Sequence, residues 1–156
     1  VHRIAARVHP RAIELAGRQH PDSAIAGRYS LQHAAALALS RRAAGLATFD
    51  RADVNDPELV ALRSRMVVES DAALRPAQAR VTLELTDGRR HEHAVDHPSG
   101  SPERPLSDAQ LRDKFMELAQ RAIDGGAAQQ LYALCLDVQR VADVTALRQH
   151  WAAGKA

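Results

Sequence analysis

An α+β fold is what this sequence predicts, and three observations predict it. Hydrophobicity alternates with period two at the start of the chain and again in runs across residues 66–97. Asp87-Gly88 separates two of those runs and marks a tight hairpin, because glycine tolerates the positive φ such turns require. Helical spacing dominates the remainder, above all after Ser107. Helices segregated from an antiparallel sheet of about four strands describe an α+β domain rather than a parallel α/β one.

Each element follows from local pattern. Val1 to Val8 places Ile4, Ala6 and Val8 on one alternating face and Arg3, Ala5 and Arg7 on the other, a strand. His9-Pro10 ends it, since proline lacks an N–H and restrains the residue before it. "RAIELAG" supports a helical turn before Gly17, and residues 18–27 read as loop. Tyr29 to Arg41 is a helix capped by Ser30, with Leu31, Ala34, Ala35, Ala38 and Leu39 on one face. "GLATFD" interrupts it at Gly45, and Asp56-Pro57 starts a second helix running to Arg65.

"MVVES" and "ARVTLELT" are strands, and "RRHEHAVDH" is the return strand of the hairpin. A two-residue loop at Asp87-Gly88 sets His91 opposite Glu84 and His93 opposite Thr82, on the polar face. A loop longer by one residue turns both toward the core. Ser107 to Ile123 is a helix that stops at Asp124-Gly125-Gly126, and Ala127 to Leu136 is another. Asp143 caps a last helix with Val144, Leu147 and Trp151 on its inner side.

Composition narrows the function classes. The 156 residues suit one domain, expected here to span the whole chain. Aromatics are only 3% of the sequence, which argues against base stacking, and a net charge of +2 with mixed signs argues against a nucleic-acid stripe. Cys135 is the single cysteine and is expected as a buried structural thiol. Neither a signal peptide nor a membrane span is legible, so the expected setting is a soluble, cytoplasmic one. The chain opens without Met and directly on a strand, as a piece of something longer would.

Eight histidines invite a search for metal chemistry. His91, His93 and His97 alternate on the return strand, but the expectation is solvated side chains and no metal. His2, His9, His20 and His33 accompany no nucleophile motif, metalloprotease motif or phosphate loop, so no catalytic residue is expected from motif alone. "GSPERPLSDAQLRDKF" is instead a careful loop-to-helix junction. Ser107 and Gln110 form a capping box, Leu106 and Leu111 a hydrophobic staple, and Asp108 complements the helix dipole. The stiff Gly100-to-Pro105 loop ahead of it suits a surface that meets another body.

Those residues carry a resemblance. "GSPERPLSDAQLRDKFMELA" resembles the Gly-Ser-Pro-Glu-Asn-Pro-Leu-Ser segment of the MmgE/PrpD family, which includes 2-methylcitrate dehydratase, cis-aconitate decarboxylase and related epimerases. "RIAARVHPRAIELAG", "AGRYSLQHAAALAL", "DPELVALRSRMVVESD" and "ARVTLELTDGRR" are similar to family segments in the same order. The resemblance implies a C-terminal α+β lid whose partner is an N-terminal helical domain of the same enzyme, with the active site between them. It implies a small di- or tricarboxylic acid as substrate, a dehydratase-type lyase reaction, no cofactor and a homodimer, while composition already argues for no nucleic acid and no membrane as partner.

Much of the catalytic equipment would then lie upstream of Val1, leaving this chain inactive alone. Arg28, Ser30 and His33 fall on the family's Lys-Phe-Ser signature, with Arg where the family usually has Lys. Arg28 is a candidate for a substrate carboxylate, and His9 and Arg11 are further candidates for the cleft. Epimerase or decarboxylase chemistry remains open, as does a standalone interaction module. An apolar patch on the alanine-rich helix or beside Phe115 would favour the lid.

Overall fold

The computed structural model describes residues 1–51 and 53–151, and these divide into two compact units, Val1–Pro98 and the chain from Ser99 onward. The N-terminal unit runs β1 (Arg3–Val8), α1 (Pro10–Ala16), α2 (Ala24–Gly27), α3 (Leu31–Arg41), α4 (Leu46–Arg51), α5 (Pro57–Arg63), β2 (Met66–Ser70), β3 (Ala79–Glu84) and β4 (Arg90–Val95). The fold class is α+β with four strands, as expected. Two short helices, α2 and α4, stand where the sequence reads as loop and break. Ser23 explains α2, its Oγ accepting from Ala26 N at 3.2 Å.

The sheet is mixed, which corrects the antiparallel expectation. Its order is β2-β1-β3-β4, and β2 runs parallel to β1. The five helices between these strands form a crossover that returns the chain to the same end of the sheet, so the next strand lies parallel. β1 is therefore an interior strand, and its alternating residues Ile4, Ala6 and Val8 are buried.

The hairpin settles the register. Leu85 N donates to Arg89 O at 2.8 Å, and Gly88, at φ 84°, closes a turn by donating to Leu85 O at 3.1 Å. The loop is thus three residues, Thr86 to Gly88, with glycine in the left-handed position. His91 pairs with Leu83 and His93 with Val81, so the longer-loop alternative holds and both histidines share the face of Val81 and Leu83. They remain exposed, because β4 is an edge strand.

Helix α3 buries a different stripe from the one expected. Gln32, His33, Ala36 and Leu37 are buried, whereas Ala38 is exposed and Leu31, Ala34, Ala35 and Leu39 are only half-buried. Its packing against α5 decides this, since Ala36 and Leu37 form the core cluster with Leu59, flanked by Phe49 and Leu62. A pattern search that scores apolarity cannot choose a stripe containing Gln and His. Asp56 caps α5 as expected, accepting from Glu58 N at 2.9 Å, and the helix ends at Arg63.

The C-terminal unit comprises α6 (Asp108–Ala119), α7 (Gly125–Leu136), a 3-10 turn at Val138–Arg140 and α8 (Thr145–Trp151). The capping box is present, with Gln110 N to Ser107 Oγ at 3.3 Å and Ser107 N to Gln110 Oε1 at 3.0 Å. α6 stops four residues before the expected Ile123. Asp124 begins α7 rather than merely ending α6, accepting from Gly126 N and Ala127 N. Asp143 caps α8 through Thr145 N at 2.8 Å. Val144 is 65% exposed, against expectation, because it precedes the first turn of α8. The side chain of Trp151 lies outside the described residues.

Leu59 is fully buried at the centre of the N-terminal cluster. Leu59→Ala is expected to cost about 3 kcal/mol through lost contact and a residual cavity. Urea unfolding checks this, and a loss below about 0.5 kcal/mol would place Leu59 outside the core.

Candidate functional site

The site forms where α2 hands over to α3. Ser30 is 1% exposed, and its Oγ accepts from His33 N at 3.1 Å. That cap fixes the first turn of α3, in which His33, three residues on, is completely buried. Arg63 of α5 reaches it, Nη1 lying 2.9 Å from His33 Nδ1, while the same Nη1 donates to Val54 O at 2.7 Å. A guanidinium only donates, so Nδ1 accepts and the ring proton sits on Nε2.

Nε2 is buried and has no hydrogen-bond partner among the described residues. Phe49 flanks the ring at 5.9 Å between centroids. Gly27 covers it from the other side. A Cβ on Gly27 would come within 2.8 Å of His33 Cδ2 and 3.2 Å of Nε2, so only glycine admits the ring here. The result is a buried imidazole N–H held at fixed orientation, where one good acceptor would be worth more than in water.

Electrostatics keep that imidazole neutral. Burial lowers the His33 pKa below the ordinary histidine range, and the Arg63 charge lowers it further. Burial also lowers Arg63 from its usual arginine value.

The other expected binding residues have local partners. Arg28 forms an ion pair with Asp50 of α4 through Nη2 and Oδ1. Ser30 serves the cap just described. His9 caps α1, its Nδ1 accepting from Arg11 N at 3.1 Å. Arg11 is exposed. The structure groups Arg28, Ser30 and His33 around the α2–α3 junction and places His9 and Arg11 at the β1–α1 corner. No hydrogen bond or ring contact joins the two groups among the described residues.

With this geometry in hand, comparison with known families is decisive. The family model for the MmgE/PrpD C-terminal domain matches residues 1–138. The chain belongs to the MmgE/PrpD family. No curated protein matches it significantly.

The MmgE/PrpD match spans both compact units, and the second holds a feature of its own. An apolar groove of about 470 Å³ is lined by Phe115, Leu118, Ala122, Ile123, Leu131 and Leu147. Cys135 also lines it and is exposed, not buried, because the groove is open on this unit. The Gly100-to-Arg104 turn ahead of α6 is closed by Gly100 N to Arg104 O at 2.8 Å and Arg104 N to Ser101 O at 3.1 Å. Among the described residues no cluster of three His, Cys, Asp or Glu could hold a metal, and no helix is long and apolar enough to cross a membrane.

Arg63, Val54 and Gly27 escaped the sequence reading. Arg63 lies thirty positions from His33 and reads as an ordinary surface cation at the end of a helix. Only the packing of α3 on α5 brings the two together.

Because the folded pKa of His33 lies below its unfolded value, the unfolded chain binds the proton first as pH falls. Stability is therefore full above the unfolded value of about 6.5 and declines as pH drops toward the folded one. The urea midpoint of the chain should fall between pH 7 and about 5.5. His33→Gln, which can still accept from Arg63, should flatten that slope, and an unchanged slope would assign the effect to other groups.

Proposed function

We propose that this chain is the lid of an MmgE/PrpD-type lyase that dehydrates a small di- or tricarboxylic acid, in the manner of 2-methylcitrate dehydratase. The observation that carries the reading is the buried His33 Nε2–H, oriented by Arg63 and with no acceptor among the described residues, on the helix start that resembles the family's signature. Dehydration next to a carboxylate needs the acid oriented and its departing oxygen stabilised. In this reading Nε2–H donates to a substrate oxygen. Arg28, already charged and paired, exchanges Asp50 for a substrate carboxylate.

A C-terminal domain implies an N-terminal partner domain, and the base that removes the substrate proton is assigned to that partner. The open apolar groove beside Phe115 favours a lid over a standalone module, since a surface of this kind marks a place where another body packs. The stiff Gly100-to-Arg104 turn supports the same reading. A family epimerase or decarboxylase would use the same carboxylate contacts and differ in its product.

The test uses the full-length enzyme and this chain alone, each with 2-methylcitrate, citrate and cis-aconitate. Loss of water is followed by the absorbance of the unsaturated acid, and CO₂ release is measured beside it. Full-length enzyme is expected to form the unsaturated product, and the chain alone none. Arg28→Ala should raise KM roughly tenfold with a smaller change in kcat, the mark of a lost binding contact. CO₂ release without water loss would replace the dehydratase by a decarboxylase, and turnover by the chain alone would overturn the lid reading.

A further inference from the structure

A second cavity lies on the N-terminal unit, separate from the covered face of His33. It measures about 330 Å³ and is lined by Gln19 and His20 of the loop after α1, Gln32 of α3, Val60 and Arg63 of α5, and Met66 of β2. Ser64, which also lines it, donates its Oγ to Ala61 O at 2.9 Å and is satisfied. That volume is at the small end of the range for ligand sites, so any occupant is a small molecule.

Two of the lining groups are unfinished. Arg63 uses only Nη1 on His33 and Val54, and its Nε and Nη2 have no hydrogen-bond or ion-pair partner among the described residues. Gln32 is 5% exposed, yet its Oε1 is buried without a partner. A buried carboxamide left unmatched costs stability, and one positioned at a cavity wall gains most from a ligand that completes it. The NH₂ group of Gln32 has no partner among the described residues either and, unlike Oε1, is not cut off from solvent, so it is the end of the carboxamide that meets the cavity.

A planar cationic fork beside an amide donor matches a single carboxylate, which accepts from both. No acidic side chain lines the cavity to compete. Val60 and Met66 supply apolar wall. One cationic anchor with an apolar flank selects a molecule with one carboxylate and a short aliphatic tail, and disfavours a second negative charge.

We infer that this cavity binds a short-chain aliphatic monocarboxylate, its carboxylate on Arg63 Nε and Nη2 and on the Gln32 carboxamide, and its tail against Val60 and Met66. This does not depend on His33 being a substrate contact.

The chain has two methionines, and only Met66 lines the cavity, while Met116 lies on α6 of the other unit. Methyl-¹³C-methionine NMR therefore carries its own control. Titrating the chain with butyrate should move the Met66 methyl signal saturably and leave Met116 in place. Succinate should bind roughly tenfold more weakly, and inorganic phosphate should give no saturable shift of Met66. Gln32→Leu removes a buried, unpartnered carboxamide, so the fold should be retained or stabilised while butyrate binding weakens roughly tenfold. Four results would overturn the assignment: no saturable Met66 shift with butyrate, equal movement of both methyls, phosphate binding as tightly as butyrate, or an unchanged butyrate curve in Gln32→Leu.

Discussion

The contact on which the N-terminal unit turns is Arg63 with Val54 O and His33 Nδ1. It ties together the end of α5, the turn before that helix and the first turn of α3. A half-buried cation normally takes a carboxylate partner. Here it takes a carbonyl and a ring nitrogen, both neutral, and no carboxylate among the described residues cancels its charge. Burial first, and that charge second, hold the ring neutral, and the hydrogen bond to Nδ1 leaves its proton on Nε2. Removing the guanidinium would strip Val54 O and His33 Nδ1 of their donor at once, and a buried acceptor without a donor is costly. One side chain thus ties the packing of the site to the tautomer of its imidazole.

Local physics was legible in the sequence wherever a cap decides the outcome. Ser30, Asp56, Ser107 and Asp143 each satisfy backbone N–H groups within a few residues, and each does so in the structure. The strands were equally readable from period two. What lay beyond reach depends on contacts distant in sequence. The parallel pairing of β2 follows from a crossover of five helices, which no single run of residues announces. The hairpin register turned on whether Gly88 stands in a two-residue or a three-residue loop, and the same Asp-Gly pair serves both.

The site was legible in a different way. His33 came to notice through resemblance to a family signature, not through any spacing rule. Its surroundings were hidden because burial of α3 follows its packing on α5 rather than its richest apolar stripe. Two polar residues, Gln32 and His33, occupy positions that pattern reading reserves for Leu and Ala. Neither has its full set of partners, and ordinary cores do not leave such groups unmatched. Violations of the core rule of this kind belong to functional or strained positions.

The two units carry unequal cores, and that inequality bears on how the domain works. The N-terminal unit buries the Ala36–Leu37–Leu59 cluster together with Ile4, Ala6 and Val8 of the sheet. Among the described residues of the C-terminal unit, only Ile123 and Ala128 are buried hydrophobics. Phe115 and Tyr132 pack at 5.2 Å, yet Leu118 is 42% and Leu136 61% exposed. Three short helices with so little buried surface hold together weakly in water, since few apolar contacts oppose the entropy of ordering them. Such a unit gains most from a neighbour that covers its groove. The chain thus joins one unit with a closed core to one whose apolar groove is left open.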